Sequence, residues 1–299
     1  MKKLTYALVI FTSILFLGLT FSYNPLMANP TDELDLEKDT YLNILTTNKE
    51  IYEMAKSIVG DKHSVEYLFN TEKEMKDFKI NQNVIDNILN MDLFIYNGLG
   101  YEEWINEVVD NSKNSNVGII NASRGIRPII NYLSDKDEEN PYYLLGVNEY
   151  EIALYNIKAS LQERDMKNRS YYEDNYNSLV NKLNEFLNAS KKEIEEYENY
   201  AVFTNTDKFD YLFRDLGIEG QKIKDSDKEV NEDEVNKRIF IYDKDNEDLN
   251  ELKSKMKNEY IYVGLSSEDY SNSLTTNITY IADAIKNTIS SWFLVTNNI

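Results

Sequence analysis

The segment that most constrains the fold of this chain is FIYNGLGYEEW, residues Phe94 to Trp104. Residues 91–96 are apolar apart from one charge, a pattern typical of a short strand covered on both faces. Asn97, Gly98 and Gly100 follow, and these residue types tolerate the positive φ that a tight strand-to-helix turn needs. Such turns lie at the carboxyl edge of a parallel sheet, where open α/β sheets bind ligands.

Strand and helix patterns alternate on both sides of this segment. Apolar spacing predicts strands at 41–47, 65–69, 93–96 and 117–121, and helices at 49–59, 83–90 and 102–111. Gly60 suits the position that closes the first helix. This alternation predicts an α/β fold with a parallel sheet and helical crossovers.

A helix is predicted at 148–162, and a much longer one at 169–199. In the longer helix, residues at steps of three and four form one apolar stripe: Tyr172, Tyr176, Leu179, Leu183, Phe186, Ser190, Ile194 and Tyr197. Coiled-coil pairing is one interpretation of this stripe. Because strand patterns resume at 201–204, 238–242 and 260–264, we favour a helix packed against two α/β lobes. A closing helix is predicted at 274–292, and Lys222 to Lys237 is predicted to be a charged surface loop.

Composition limits the function. The chain has 299 residues, enough for two domains, and a net charge of −20. Because no basic stripe is present to replace the counterions of phosphates, we expect no nucleic-acid partner. An acidic surface is typical of a protein that encounters cations, but it is equally typical of a protein whose surface charge only keeps it soluble.

Residues 1–30 have the pattern of an export signal. Lys2 and Lys3 precede an almost continuously apolar run from Leu4 to Phe21, and Ala28 offers a weak cleavage position. The run is long enough to span a bilayer, so an uncleaved N-terminal anchor is the alternative to a cleaved signal peptide. Residues 31–40 are predicted to be an acidic linker. We therefore expect an exported protein, extracellular or at the cell surface.

Four segments carry a family resemblance, because they occur in a particular order. They are ILTTNKEIYEMAKSIVGDK (44–62), the segment around FIYNGLGYEEW, NASRGIRPI (121–129) and NPYYLL (140–145). Together they resemble the solute-binding proteins of zinc and manganese ABC transporters. The resemblance covers most of the chain from residue 41 and is strongest between Ile44 and Ile129.

The resemblance implies two α/β lobes, at 41–167 and 200–299, joined by one rigid linker helix at 168–199. It also implies a monomer that delivers its solute to an ABC permease in the membrane, with a site between the lobes and small rotations on capture. The chain contains no cysteine, so the acylated cysteine that commonly anchors such proteins is missing.

In the family resembled, three histidines and one carboxylate hold the metal ion. The matching positions here are Lys76 in EMKDF, Tyr142 in PYYLL, Thr206 in NTDKFDYL and Glu268 in EDY. Only Glu268 has the chemistry of a metal ligand, because a protonated lysine cannot coordinate a metal ion. A three-histidine zinc site is therefore absent, and the identity of any bound metal stays open.

Two alternatives follow for this site. Asp77, Asp207 and Asp269 could join Glu268 as oxygen donors to a hard divalent cation. Lys76 could instead pair with Glu268 across the cleft and close it without a ligand, with Tyr142 and Tyr143 filling the space. The single histidine, His63, is predicted to be a surface turn residue rather than a replacement ligand.

The sequence favours a metal-type ABC transporter solute-binding protein with a degenerate metal site. The alternative is an interaction or adhesion protein on the same scaffold that no longer binds free metal ions. An enzyme is not expected, because no nucleophile-base pattern, G-x-S-x-G elbow or H-E-x-x-H helix occurs.

Overall fold

Two four-stranded parallel sheets form the framework of the chain. The computed structural model describes residues 40–134, 137–195, 200–223, 237–256 and 260–267. In chain order the elements are β1 (Asn43–Asn48), α1 (Lys49–Val59), β2 (Ser64–Phe69), α2 (Glu72–Asp77), α3 (Gln82–Leu89), β3 (Leu93–Tyr96), α4 (Ile105–Ser112), β4 (Gly118–Asn121), α5 (Val147–Arg164), α6 (Arg169–Glu195), β5 (Tyr200–Thr204), α7 (Asp210–Leu216), β6 (Gly220–Lys222), β7 (Lys237–Asp243), α8 (Leu249–Lys255) and β8 (Ile261–Leu265).

Both sheets have the same topology. The first has the order β2-β1-β3-β4 and the second the order β6-β5-β7-β8, so the earliest strand of each sheet lies second in it. All strands are parallel, but the side on which successive strands are added switches between β1 and β3 in the first sheet and between β5 and β7 in the second. Loops at the carboxyl ends of the strands beside such a switch point form the ligand crevice of open α/β sheets.

Alternate side chains along each strand face opposite sides of the sheet. In the first sheet, Ile44 and Ile95 belong to one buried cluster, whereas Leu45 and Phe94 belong to another with Trp104. In the second sheet, Val202, Ile239 and Ile241 face one side, and Phe203, Phe240 and Tyr242 face the other, with Leu252 of α8. Both faces of each sheet are therefore covered, as parallel sheets require.

The long helix α6 packs against elements of both halves of the chain. Its buried side chains include Leu183, Leu187 and Ile194, which share one cluster with α1 and α5 and with residues around the second sheet. Tyr172, near the start of the helix, is also fully buried. The prediction of two parallel-sheet lobes with flanking helices and one long helix is confirmed.

Some local predictions are matched closely and others are wrong. Helix Lys49–Val59 and strand Leu93–Tyr96 have the predicted bounds, and Gly60 caps α1 with a φ of +57°. The four short elements α2, α7, β6 and α8 were not expected. The predicted surface loop from Lys222 to Lys237 is wrong at its ends, because Lys222 ends β6 with its side chain 11% exposed and Lys237 begins β7.

Several predictions lie outside the described residues. These are the export signal and linker, the last four residues of the predicted long helix, the interior of the predicted loop at 224–236, and the closing helix at 274–292. Among the described helices, none is both long enough and apolar enough to cross a membrane.

Candidate functional site

The loop after β3 is held in shape by one buried carboxylate. Gly98 and Gly100 have φ values of +83° and +74°, as the sequence predicts, and Leu99 between them has a φ of +49°. Glu102 accepts hydrogen bonds from the backbone N–H groups of Asn97 (2.7 Å) and Gly98 (2.9 Å). Burial raises the pKa of Glu102 to about 7, against the opposing effect of these hydrogen bonds. This loop forms one wall of the crevice.

A second wall comes from α2, which follows β2. Thr71 begins this helix as its N-cap, because its side chain accepts a hydrogen bond from the Glu74 N–H at 3.2 Å. The cap places Glu72 in the first turn, where the residue is only 6% exposed. Lys76, one turn later, forms an ion pair with Glu72. The Tyr142 hydroxyl donates to Glu72 Oε1 at 2.6 Å.

The carboxyl edge of the second sheet faces Glu72. Lys208, which follows β5, places its Nζ 3.0 Å from Glu72 Oε2 and 2.8 Å from Asp243 Oδ2 at the end of β7. Ser267, after β8, contributes an Oγ 3.1 Å from Lys208 Nζ. The same ammonium lies 4.8 Å from the centre of the Tyr142 ring, a cation–π distance. Lys208, Asp243 and Ser267 therefore reach the crevice from three adjacent strands.

The electrostatics of this group favour the charged forms. Burial works against the Glu72 carboxylate, but the hydrogen bonds from Lys76 and Tyr142 and the charge of Lys208 outweigh it and lower the pKa of Glu72. Burial likewise opposes the Lys208 ammonium, yet Asp243 and Glu72 raise its pKa above the usual value. The Glu72 carboxylate and the Lys208 ammonium are thus the stable forms of these two groups at neutral pH.

The structure brings two of the four predicted ligand positions into contact with Glu72. A third bonds to the backbone of Lys208, whose side chain contacts Glu72. Lys76 and Tyr142 both bond to Glu72. Thr206 accepts a hydrogen bond from the Lys208 backbone N–H through Oγ1 at 3.2 Å. The fourth position, Glu268, lies outside the described residues, so its predicted pairing with Lys76 stays a prediction.

The predicted oxygen donors are not gathered into a cation site within the described residues. Asp207 Oδ2 accepts from the Leu133 N–H at 2.8 Å, and its Oδ1 lies 3.1 Å from Lys222 Nζ. Asp77 is exposed at the end of α2. Asp269 lies beyond the described part of the chain. No group of three or more His, Cys, Asp or Glu residues able to hold a metal ion occurs among the residues that were placed.

A cavity of about 240 Å³ opens beside the crevice. Glu72 and Lys76 line it, as do Tyr101 and Trp104, and so does Tyr142, whose ring also contacts the Lys208 ammonium. Tyr143, expected beside Tyr142 in the site, is instead fully buried, with its hydroxyl donating to the Asn97 carbonyl at 2.8 Å.

The prediction that His63 is a surface turn residue is wrong. Its side chain is buried, with Nε2 2.5 Å from the Tyr172 hydroxyl and 3.2 Å from Asp165 Oδ2. These partners lie about a hundred residues later in the chain, and they hold His63 on the side of the first lobe that faces α6. His63 is not part of the crevice, because none of these contacts is with a crevice residue.

Sequence reasoning missed Glu72, Lys208 and Asp243. Lys208 stands two residues after Thr206 in the segment matched to a family ligand, so its position carried a usable signal. Glu72 and Asp243 carried none, because 136 residues separate Glu72 from Lys208 and their approach depends on the tertiary fold.

The fold and the crevice define a two-lobed α/β protein with a polar site between two parallel sheets. The family model described as zinc-uptake complex component A, periplasmic (ZnuA) matches residues 44–290. The chain therefore belongs to this family of solute-binding proteins of metal-type ABC transporters.

Individual relatives agree with this assignment. The high-affinity zinc uptake system protein ZnuA of Bacillus subtilis is 26% identical over 196 residues, which span 60% of each chain. The manganese ABC transporter substrate-binding lipoprotein PsaA of Streptococcus mitis is 25% identical over 228 residues, covering 73% of this chain and 70% of that relative. The iron ABC transporter substrate-binding lipoprotein MtsA of Streptococcus pyogenes is 27% identical over 68% of both.

Solved structures show the same fold. A mutant structure of the laminin-binding adhesin Lmb from Streptococcus agalactiae has a TM-score of 0.68 at 17% identity, covering 82% of this chain and 99% of that one. The Zn(II)-bound ZnuA-like domain of Streptococcus pneumoniae AdcA has a TM-score of 0.65 at 18% identity, with coverage of 82% and 99%. At these identities the likeness concerns the fold alone.

Proposed function

We propose that this chain is an exported solute-binding protein that serves an ABC permease and whose metal site is degenerate. The observation that carries the proposal is the state of the crevice. Its matched positions Lys76, Tyr142 and Thr206 supply an ammonium, a phenol and a hydroxyl in place of imidazoles, and all three already bond within the protein.

The chemistry of these groups argues against a free zinc ion. Zinc favours imidazole nitrogen, thiolate and carboxylate ligands, and the chain has no cysteine and one histidine, which is buried elsewhere. The two crevice carboxylates, Glu72 and Asp243, are both bonded to the Lys208 ammonium. A divalent cation would therefore have to displace a bound positive charge.

The remaining parts of the proposal concern partners and location. The family assignment supports a membrane permease as partner, and the apolar segment at residues 4–21 supports export with either cleavage or retention as an anchor. The strongly acidic composition supports the absence of a nucleic-acid partner. We expect a monomer that catalyses no reaction.

A second candidate is an interaction or adhesion protein on the same scaffold. One structural neighbour, Lmb of Streptococcus agalactiae, is described as bifunctional, with adhesin and metal transporting activity. The occupied crevice of the present chain favours this candidate, because a surface-binding role would need no free metal ion. Binding of the full chain to laminin tests this candidate directly, with a metal-loaded zinc-binding relative for comparison.

The site assignment can be tested by restoring the missing imidazoles. Lys76→His, Tyr142→His and Thr206→His are combined with Lys208→Met, which removes the ammonium that would repel zinc. We expect this variant to bind zinc in a one-to-one complex by calorimetry. Glutamine at the same three positions, again with Lys208→Met, is the matched control without imidazole. Equal zinc binding by both variants, or by neither, would contradict the assignment of these positions.

A further inference from the structure

The Lys208 ammonium lies among the three predicted metal-ligand positions that the structure describes. It contacts the ring of Tyr142, the carboxylate that binds Lys76, and Ser267, the residue before Glu268. Its own backbone N–H bonds to Thr206. Each of the three described positions thus contacts Lys208, bonds to its backbone, or bonds to the Glu72 carboxylate that Lys208 contacts.

We infer that the Lys208 ammonium occupies the crevice in the place where relatives would hold a metal ion. The crevice is then self-liganded, which means that the chain supplies its own bound cation. This inference rests on the proposed function, because it assigns the occupant of that same site. The inference also names the chemical class of the occupant, a primary ammonium group, which the chain itself provides.

The geometry fits an ammonium group. A lysine Nζ carries three N–H donors, and the described residues offer it three oxygen acceptors: Glu72 Oε2, Asp243 Oδ2 and Ser267 Oγ. The Ser267 hydroxyl in turn donates to Asp243 Oδ2 at 3.0 Å, which fixes its lone pairs toward Lys208. The Tyr142 ring covers a further side. The site therefore satisfies all three donors at distances of 2.8–3.1 Å.

The charged groups in direct contact with Lys208 or Glu72 are balanced, and the Asp245 carboxylate lies one hydrogen bond further out, bonded to Ser267. Glu72 and Asp243 supply two negative charges, and Lys208 and Lys76 supply two positive ones. An added divalent cation would leave this group of charges with excess positive charge. Loss of the Lys208 ammonium would instead leave the group negative, and each of the two buried carboxylates would lose a partner. The arrangement thus excludes a free cation only while Lys208 is present.

The ammonium also links the two lobes. Glu72 belongs to α2 beside the first sheet, whereas Lys208, Asp243 and Ser267 belong to the second. Because Lys208 is part of the chain, its effective concentration at the site does not depend on any solute outside the cell. The contact that a metal ion would make between lobes on capture is therefore made permanently here.

The test uses the full chain with Lys208→Ala and a probe that replaces the missing atoms. Propylammonium has the three carbons and the nitrogen that the alanine lacks. We expect Lys208→Ala to unfold at a lower temperature than the unaltered protein, and millimolar propylammonium chloride to raise that temperature for Lys208→Ala alone. Two matched probes serve as controls: 1-propanol lacks the charge, and tetramethylammonium lacks N–H donors. Equal effects of all three probes, or no effect of propylammonium, would overturn the inference.

A double-mutant cycle covers the case in which Lys208→Ala does not fold. Lys208→Met retains the apolar stem, and its effect on the unfolding temperature is measured with and without Glu72→Gln. We expect the two changes to be clearly non-additive. Lys222 is the matched control, because it is similarly buried but pairs with Asp207 and Asp210 in its own lobe. The effects of Lys222→Met and Glu72→Gln should be additive. Additive effects of Lys208→Met and Glu72→Gln would overturn the inference.

These outcomes separate the two claims. Tight zinc binding by the unaltered protein would refute the degenerate site whatever the Lys208 variants do. Absence of zinc binding together with additive Lys208 and Glu72 effects would retain the proposed function and refute the self-liganded crevice.

Discussion

His63 Nε2 lies 2.5 Å from the hydroxyl oxygen of Tyr172, and the same hydroxyl donates to Asp165 Oδ2 at 2.5 Å. The Leu42 N–H points to the other ring nitrogen, Nδ1, at 3.4 Å. Nδ1 is therefore the acceptor and Nε2 carries the proton of a neutral imidazole. The group joins Leu42, the residue before β1, to the start of α6.

The first prediction is that His63 resists protonation. Burial lowers the pKa of His63 below 6.5; the nearby Asp165 and a backbone hydrogen bond with Lys62 oppose this shift, and the positive charge of Lys62 adds to it. Because the unfolded chain binds the proton more readily, the free energy of unfolding should fall as the pH decreases from 6.5 toward the lower folded pKa. His63 is the only histidine, so its imidazole signal in an NMR titration gives the pKa directly. A value at or above 6.5 would contradict this account.

The second prediction concerns Glu102, which binds two backbone N–H groups with its two oxygens. Glu102→Gln places an NH₂ group opposite one of these donors. We expect the free energy of unfolding at pH 8 to fall by about 1–3 kcal/mol. Glu103→Gln is the matched control, because Glu103 is adjacent and exposed.

Glu102 should also leave a signature in the pH dependence. Its folded pKa of about 7 exceeds the ordinary value of 4.5, so the folded protein binds the proton more tightly than the unfolded chain does. Its contribution to stability is therefore full below pH 4.5 and decreases as the pH rises to 7. Denaturant unfolding between pH 4.5 and 8 should show this decrease in the unaltered protein and its loss in Glu102→Gln. Identical pH profiles would count against the raised pKa.

The third prediction concerns Tyr211, which ties α7 to the first half of the chain. Its hydroxyl donates to the Asn140 carbonyl at 2.9 Å and accepts from the Ile129 N–H at 3.0 Å. Tyr211→Phe leaves both backbone groups without this partner, so we expect a loss of about 1–3 kcal/mol in denaturant unfolding. Tyr41→Phe, at a side chain that is 65% exposed, should change stability little. If Tyr211→Phe leaves the free energy of unfolding unchanged, this hydroxyl does not hold the two halves of the chain together.

The framework was predictable because its signals are local. Helix Lys49–Val59 and strand Leu93–Tyr96 each follow from apolar spacing within a few residues and from the glycines that end them. Short elements such as α2 and β6 span too few residues to show a period, and α2 is rich in charged side chains. They form because caps and neighbouring strands hold them.

The site was less predictable, because its contacts join distant parts of the chain. Family patterns indicated where histidines would stand, and Lys76, Tyr142 and Thr206 were matched to those positions. They could not indicate that Lys208 would reach Glu72 across 136 residues, or that His63 would be buried against Tyr172 across 109. Pairing between buried charges depends on which strands are neighbours, and a single sequence does not state that.

The proposed function requires the protein's own groups to occupy the crevice in place of a metal ion. The most direct measurement is calorimetric titration of the metal-stripped full chain with zinc, with elemental analysis of the protein as purified. The account predicts no one-to-one zinc complex and no stoichiometric zinc in the purified protein. Tight binding of one zinc ion per chain would contradict it.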